Sequence, residues 1–491
     1  MQLFNLPAKT LSSSRLINLI LVSSSACLVY IFLSLFLVHS SKLQTILPSS
    51  LRKSAASPAP ALSLEHIVFG IASSANSWPK RKEFVRLWWQ PSRMRGCVFL
   101  EHDQSKNQGT DSSNNKLNGT DHSNDDETPP VCISEDTSRF RYTYKNGLRS
   151  AIRVAHVVSE TVALNHSDVR WFVFGDDDTV FFPENLVKTL SKYDHELWYY
   201  IGTGSEIYEQ NRLFSFEMAF GGAGFAISYP LAKVLAKVFD SCLERYPHLY
   251  GSDGRIYSCL AELGVGLTRE PGFHQMDLQG DVFGLLAAHP PRPLVSLHHL
   301  DQLEPIFPNM TFTAALRHLF TASAADPHRL LHHSVCYDRW FLWTISLSWG
   351  YALEVYQGHL FLPDLLPPLH TFRQWKRGTL LARTYTFNTR EPHPDPCRRP
   401  SVFFLHSVST PDNGSIATTY RRLVAGNCSF DAASPRKLDE IRVFSHKLHL
   451  DVKQLQAPRR HCCEVLPSSA GKVMEIAVRE CGEEELIRMH P

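Results

Sequence analysis

The stretch that decides the fold is Trp171–Val180, WFVFGDDDTV. Four apolar residues, aromatic or β-branched, run into a glycine, and a short apolar run of this kind predicts a buried strand. The three carboxylates that follow, Asp176, Asp177 and Asp178, would repel one another in a poorly solvated setting. They indicate a divalent cation, because carboxylate oxygens suit Mg²⁺ or Mn²⁺. The alternative is an acidic turn that caps a helix opened by Pro183.

The segments before this strand predict an α/β architecture. Ile67–Ile71 and Cys97–Leu100 each read as a strand, and Asn146–Leu164 places apolar residues at helical spacing directly before the acidic strand. Strand, helix and strand in this order favour a largely parallel sheet with helices on its faces. Residues 103–130 are rich in Asn, Asp, Ser and Gly, which predicts a disordered surface insertion.

A basic helix is predicted just after the first strand. It carries Arg81, Lys82 and Arg86, followed by Trp88. Basic side chains near a helix start can meet the phosphates of a nucleotide, and they can equally form a solvated face. The sequence leaves both interpretations open.

Composition limits the possible partners. The chain has 491 residues, enough for two domains, with 43% hydrophobic and 20% charged residues, which is typical of a globular protein. The formal net charge is only +2, and no basic cluster is interleaved with aromatic residues. Nucleic acid is therefore not predicted as a partner.

The N-terminal region predicts a membrane anchor followed by a stem. Leu16–Val38 contains no charged residue over 23 positions, and Lys9 and Arg15 precede it. This length suits a transmembrane signal anchor better than a cleaved signal peptide. The charge pattern weakly favours a cytosolic tail over residues 1–15, and residues 39–64, rich in Ser, Ala and Pro, predict a stem.

Cysteines and glycosylation sequons favour an oxidising compartment for the body of the protein. Ten cysteines lie beyond the predicted anchor, and five sequons begin at Asn118, Asn165, Asn309, Asn413 and Asn427. Cysteine pairing cannot be deduced from sequence. Cys97 and Cys132 flank the insertion and could close its base.

Three polar motifs follow the acidic strand. Gly221 and Gly222, in FGGAGFAIS, allow a sharp bend or a close approach to a ligand. Asp253 lies in a Ser-Asp-Gly turn and is either a turn former or a functional acid. His298 and His299 lie in LVSLHHLD; on a strand they would point to opposite faces, so one at most would serve a given metal.

The region from 321 to 491 predicts a second module. Thr344–Trp349 and Gly350–Tyr356 alternate polar and apolar residues, which predicts half-buried antiparallel strands. Six of the ten cysteines lie here, so disulfide bracing is expected, with the adjacent Cys462 and Cys463 pairing with different partners. No catalytic constellation is visible in this part of the sequence.

Together these motifs resemble the fringe-like β-1,3-glycosyltransferases over roughly His66–Pro308. The nearest likeness is to a plant group of fringe-related proteins of unassigned function, which the C-terminal region also resembles through WFLWTISLSWGYALEVYQ, TFRQW and FNTR. The resemblance implies a GT-A fold, a UDP-sugar donor, Mn²⁺, a glycan or glycoprotein acceptor, and residence in the Golgi as a single-pass type II membrane protein.

The resemblance also implies roles for individual residues. Asp178 would ligate the metal, with His299 as second ligand and His298 in reserve. Asp176 and Asp177 would help to hold the nucleotide, and Gly221 and Gly222 would approach it. Asp253 would be the catalytic base for transfer with inversion; fringe enzymes carry two acids at this turn, and here Ser252 replaces the first.

Two alternatives to a transferase remain. DDDTV also fits the Asp-x-Asp-x-Val pattern of aspartyl-phosphate phosphatases, in which Asp176 would be the nucleophile. A non-catalytic carbohydrate-binding or scaffold protein is the other. The sequence and this resemblance together predict a cytosolic tail over residues 1–15, an anchor over 16–38, a stem over 39–64, a GT-A domain over 65–310 with the insertion 103–130, and a C-terminal β-rich module over 321–491.

Overall fold

The computed structural model describes residues 13–40, 61–102, 127–375, 384–411, 414–424, 426, 428–467 and 471–489. Most of the predicted cytosolic tail, stem and insertion lie outside the described residues, as do the sequons at Asn118, Asn413 and Asn427. Residues Met1–Ala61 and Leu62–Pro491 form two compact units. The first contains helix α1, and within the described residues no helix has both the length and the hydropathy needed to cross a bilayer.

The second unit is built around a seven-stranded, mostly parallel sheet. Its strands lie in the order β3-β2-β1-β4-β7-β6-β8, and β7 alone among them runs antiparallel to its neighbours. The strands are β1 (Ile67–Ala72), β2 (Arg95–Leu100), β3 (Val131–Ile133), β4 (Trp171–Asp176), β6 (Tyr200–Gly202), β7 (Phe225–Ser228) and β8 (Leu267–Arg269). The predicted strand that ends in the acidic triplet is β4, at the centre of this sheet.

A second, eight-stranded sheet occupies the C-terminal region. The order is β11-β12-β13-β15-β16-β17-β19-β18, antiparallel throughout except for β17 beside β19. Its strands are β11 (His333–Tyr337), β12 (Trp343–Ser348), β13 (Ala352–Gln357), β15 (Ser401–Ser409), β16 (Ser415–Arg422), β17 (Glu440–His446), β18 (Cys462–Leu466) and β19 (Val473–Arg479). Two small antiparallel pairs are formed by β5 (Val180–Phe181) with β10 (Ser296–Leu297), and by β9 (Leu278–Gly280) with β14 (Phe372–Gln374).

Helices cover both faces of the seven-stranded sheet, because its strands are apolar on both sides. Val68 and Phe172 face the core formed with α3, α6 and α7, whereas Phe69 and Trp171 belong to a core that continues to the eight-stranded sheet. The helices are α1 (Ser13–Ser40), α2 (Trp78–Arg86), α3 (Ser150–Ala163), α4 (Pro183–Leu190), α5 (Tyr208–Leu213), α6 (Tyr229–Arg245), α7 (Ser252–Glu262), α8 (Phe283–Ala287), α9 (Phe312–Ala325), α10 (Leu362–Leu365) and α11 (Val452–Gln456).

These observations confirm the predicted α/β class with a mostly parallel sheet and a β-rich, disulfide-braced C-terminal region. The disulfides are Cys97–Cys132, Cys242–Cys259, Cys336–Cys463, Cys397–Cys428 and Cys462–Cys481. The first closes the base of the insertion, and Cys462 and Cys463 have different partners, as expected.

One local prediction is wrong, and one alternative interpretation is not observed. Strand β12 is buried along its whole length instead of on one face. Its polar face is covered too, and Ser346 and Ser348 there form hydrogen bonds to His333 Nε2 and to the Leu286 carbonyl. The acidic triplet does not cap α4 either, since that helix begins at Pro183 without any side-chain capping bond.

Candidate functional site

The acidic triplet lies at the carboxyl end of the central strand. Asp176 ends β4, and its partner in the neighbouring parallel strand β1 is Ala72, the last residue of that strand. The loop that follows β1 therefore meets the triplet at the same edge of the sheet. This edge is where ligands bind in open α/β sheets.

Both carboxylate oxygens of Asp177 accept hydrogen bonds from neighbouring side chains. Its Oδ2 atom accepts hydrogen bonds from the hydroxyls of Ser73 and Ser77, both at 2.6 Å, and its Oδ1 atom accepts one from Arg81 Nη1 at 3.1 Å. The residue is 3% exposed. These contacts tie the loop after β1 and helix α2 to the acidic strand.

Asp178 is equally buried but lacks such partners. Its Oδ1 lies 3.1 Å from His298 Nε2 and its Oδ2 lies 3.2 Å from Arg81 Nη1, as ion pairs. Neither oxygen accepts a hydrogen bond of good geometry from the described residues. Burial opposes ionisation, but His298 and Arg81 outweigh it and lower the pKa of Asp178 to about 2. The carboxylate is therefore charged, buried and available as a ligand.

The two histidines lie side by side, so the expectation that they point to opposite faces is wrong. Strand β10 ends at Leu297, and His299 adopts the left-handed region with φ of 50°. This turn brings the two imidazole centroids to within 3.7 Å of each other. Both residues therefore face the acidic triplet.

Their protonation is set by neighbouring groups. His298 Nδ1 lies 3.0 Å from the Gln275 carbonyl, which fixes the tautomer that leaves Nε2 toward Asp178. Burial disfavours a charged ring, but Asp178 and Asp176 outweigh it and raise the pKa of His298 to about 9. A metal ion bound at Nε2 would have to displace the proton that this nitrogen carries at neutral pH. His299 stacks on Trp375 with the ring centroids 4.6 Å apart.

These residues fit a divalent cation. One ligand atom each from Asp178, His298 and His299 can be chosen so that all three lie within 4.8 Å of one another. Both Asp178 oxygens and His299 Nδ1 are buried without a hydrogen-bond partner among the described residues, and such unpaired buried groups are costly unless an ion or water satisfies them. A carboxylate with two imidazoles suits Mn²⁺ or another divalent transition metal.

The glycine-rich turn lies directly against His298 and Asp253. Gly221–Ala223 form a short 3₁₀ turn. A Cβ on Gly222 would lie 2.1 Å from His298 Cε1, and a Cβ on Gly221 would lie 2.6 Å from Asp253 Oδ1. Only glycine therefore allows the backbone to approach the histidine and the acid so closely.

Asp253 and Asp176 are the remaining predicted acids near this site. Asp253 lies in the first turn of α7, where its Oδ1 accepts a hydrogen bond from Ser252 Oγ at 3.0 Å. Burial raises the pKa of Asp253, although the Gly221 N–H and the Ser252 hydroxyl oppose the shift. Asp176 has a side chain that is 40% exposed, with Oδ2 3.8 Å from His298 Nε2. Every predicted site residue thus lies in this one region, with Asp176 the most exposed acid of the triplet.

Sequence reasoning left the role of Arg81 open and missed two contributors, Gln275 and Trp375. Arg81 pairs with Asp177, Asp178 and Asp301 instead of forming a solvated face; the charge imbalance of the triplet was a signal that a cation had to be near. Gln275 and Trp375 act through a backbone carbonyl and a stacked ring, for which the sequence carries no signal.

Two family models match overlapping parts of this chain. A family model described as "Fringe-like" matches residues 100–281, and one described as "Protein of unknown function, DUF604" matches residues 210–463. No curated protein matches the chain. The predicted fringe-like resemblance is confirmed, and the second match extends it into the eight-stranded sheet.

Proposed function

This chain belongs to the family described as "Protein of unknown function, DUF604", and we propose that it transfers a sugar from a UDP-sugar to a hydroxyl of a glycan acceptor. The observation that carries the proposal is the grouping of Asp178, His298 and His299 beside Asp253, with Asp178 and Asp253 inside the part of the chain that matches the fringe-like family. A cation site beside a carboxylate of raised pKa suits transfer from a diphosphate leaving group.

The proposed fold type is GT-A. The mostly parallel sheet, with the acidic triplet at the carboxyl end of β4 and the loop after β1 beside it, supports this assignment. We propose that the nucleotide lies at this edge, with Asp176 facing it. Arg81 stays paired with Asp177, so that acid supports the site without contacting the donor.

The proposed reaction is an inverting transfer. Asp253 accepts the proton of the acceptor hydroxyl as that oxygen attacks the anomeric carbon, and its raised pKa makes it a stronger base than an ordinary aspartate. Ser252 holds the Oδ1 atom of Asp253 in place. A cation held by Asp178, His298 and His299, which we propose to be Mn²⁺, would stabilise the charge on the departing UDP.

The proposed location is the Golgi lumen, with a type II membrane anchor. The support is the uncharged stretch Leu16–Val38, the stem-like composition after it, and the five disulfides of the body. Disulfides of this number are typical of an oxidising compartment.

The test of donor binding is a thermal-shift assay of the purified protein against a panel of UDP-sugars, with and without Mn²⁺. A ligand that binds the folded state raises its stability by RT ln(1 + [L]/Kd). We expect one UDP-sugar to raise the melting temperature only when the metal is present. No shift with any nucleotide sugar would favour the carbohydrate-binding or phosphatase alternative.

Replacement of the base separates binding from turnover. Asp253→Asn should keep the UDP-sugar thermal shift but lower transfer by about 10²- to 10⁴-fold, because the hydroxyl proton loses its acceptor. Release of UDP in the presence of an acceptor measures turnover. Loss of the thermal shift in this variant would contradict the assignment of Asp253 as base and indicate a structural role.

A further inference from the structure

A row of exposed aromatic rings leads to Asp253. Tyr144 and Tyr250 contact each other with centroids 5.2 Å apart, and Tyr250 is stacked with Phe214 at 6.0 Å. The three residues are 46%, 46% and 38% exposed. We call Tyr144, Tyr250 and Phe214 the aromatic row. Contiguous exposed apolar surface of this kind marks an interaction site more often than it occurs by chance.

The row ends at the candidate base. Phe214 contacts the buried ring of Phe220 with centroids 6.1 Å apart. Phe220 directly precedes Gly221, the residue whose backbone abuts Asp253. Tyr250 also lies only three residues before Asp253, at the entrance to α7. A molecule lying along the row would therefore end near the start of α7, which carries Asp253.

The row is held in place by polar contacts. Tyr142 donates its hydroxyl hydrogen to the Tyr250 carbonyl at 3.0 Å. Arg255, which is fully buried, donates to the carbonyls of Leu249 and Gly251 and lies over the Tyr142 ring. The segment that carries Tyr250 is thus pre-organised before any ligand binds, which lowers the entropic cost of binding.

We propose that the aromatic row binds the acceptor and that the acceptor is an oligosaccharide extending beyond the sugar that reacts. This inference rests on the proposed function. Pyranose rings combine an apolar C–H face, which packs on aromatic rings, with hydroxyls, one of which meets Asp253. The tyrosine hydroxyls offer further hydrogen bonds. A stable protein partner would need an interface of about 1,000 Å² or more, which three partly exposed rings do not supply.

The test is binding to a printed array of defined oligosaccharides in the presence of Mn²⁺ and UDP. We expect the wild-type protein to retain a subset of them, and Tyr250→Ala and Phe214→Ala each to weaken that binding by about five- to tenfold. Tyr250→Phe should bind within about threefold of wild type, because the ring stays. The UDP-sugar thermal shift should be unchanged in all three variants.

Phe361→Ala is the matched control. Phe361 is 66% exposed and lies outside the row, so its replacement should leave oligosaccharide binding intact. Retention of no oligosaccharide by the wild type, or equal binding by Tyr250→Ala and Phe214→Ala, would overturn the inference. Absence of every UDP-sugar shift, with oligosaccharide binding that depends on the row, would instead refute the proposed function and leave the row as a glycan site.

Discussion

Two groups of histidines in this molecule lie in opposite electrostatic surroundings, and one buried member of each shows the contrast. His298 is 2% exposed and His461 is 4% exposed. Burial lowers the pKa of both rings, but Asp178 and Asp176 outweigh it at His298 and raise the value to about 9. At His461 the guanidinium of Arg329 adds to burial, and the pKa falls to about 4.

The second group, which we call the interior histidines, comprises His289, His332, His333 and His461. All four are buried, and burial lowers the pKa of the first three well below the usual range. Arginine side chains are the partners of two of them: Arg329 donates to His461 Nδ1 at 2.8 Å and Arg460 to His333 Nδ1 at 2.9 Å. Burial alone therefore does not make a histidine a ligand; the carboxylates beside His298 distinguish the site pair from the interior histidines.

The strongest test of this contrast is Asp178→Asn. The amide keeps the shape but removes the charge that makes the His298 and His299 pair a cation site. We expect the Mn²⁺-dependent UDP-sugar thermal shift to disappear and transfer to fall by about 10³-fold or more. Circular dichroism should show an unchanged fold.

Asp177→Asn is the matched control within the same triplet. Because Asp177 bonds to Ser73, Ser77 and Arg81, its replacement should lower the free energy of unfolding by about 1–3 kcal/mol while the Mn²⁺ requirement remains. A normal metal-dependent shift in Asp178→Asn would contradict the difference between the two acids.

The interior histidines should make the protein acid-sensitive. In the unfolded chain imidazole titrates near pH 6.5, whereas His461 stays neutral in the folded protein down to about pH 4. The unfolded state therefore binds more protons between these values, and the free energy of unfolding falls as the pH decreases from 6.5 to 4. His461 alone should contribute a loss of about 2–4 kcal/mol, measured by denaturant unfolding at several pH values.

His461→Asn isolates this contribution. Asparagine places an acceptor near the position of Nδ1, so the contact with Arg329 is kept while titration is removed. The variant should show a shallower decrease in stability over the same pH range, whatever its stability at pH 7. An unchanged slope would show that His461 is not one of the groups that titrate on acid unfolding.

The contrast also explains how far the sequence could predict the molecule. WFVFGDDDTV predicts both a buried strand and a nearby cation, because a short apolar run favours a buried strand and adjacent carboxylates repel one another unless a cation is near. The sequence could not place His299, since the motif LVSLHHLD does not show that the strand ends at Leu297 and that His299 adopts a left-handed φ of 50°. Nor could it separate the role of Asp177 from that of Asp178, because Arg81 approaches both from a helix almost a hundred residues earlier in the chain.

Gly222→Ala tests whether the position of His298 depends on the close approach of the Gly222 backbone. A Cβ here would lie 2.1 Å from His298 Cε1, so the imidazole would have to move away from Asp178. We expect Mn²⁺ affinity, measured by isothermal titration calorimetry, to fall by about 10- to 100-fold. Gly254→Ala is the matched control, because its Cβ would meet only Leu249 at an ordinary 3.7 Å. Equal affinities in the two variants would mean that Gly222 does not set the histidine position.

Removal of the ring that stacks on the second histidine should have the smallest effect. Trp375 lies against His299 with centroids 4.6 Å apart and planes inclined by 23°, and its backbone N–H donates to the Asp277 carbonyl at 3.1 Å. Trp375→Ala should weaken Mn²⁺ binding by about two- to tenfold, because the imidazole gains rotamer freedom without losing its charge environment. Trp375→Phe keeps a stacking ring and should bind within about twofold of wild type. A loss as large as that of Gly222→Ala would show that orientation matters as much at His299 as at His298, and the two histidines would then contribute equally to the site.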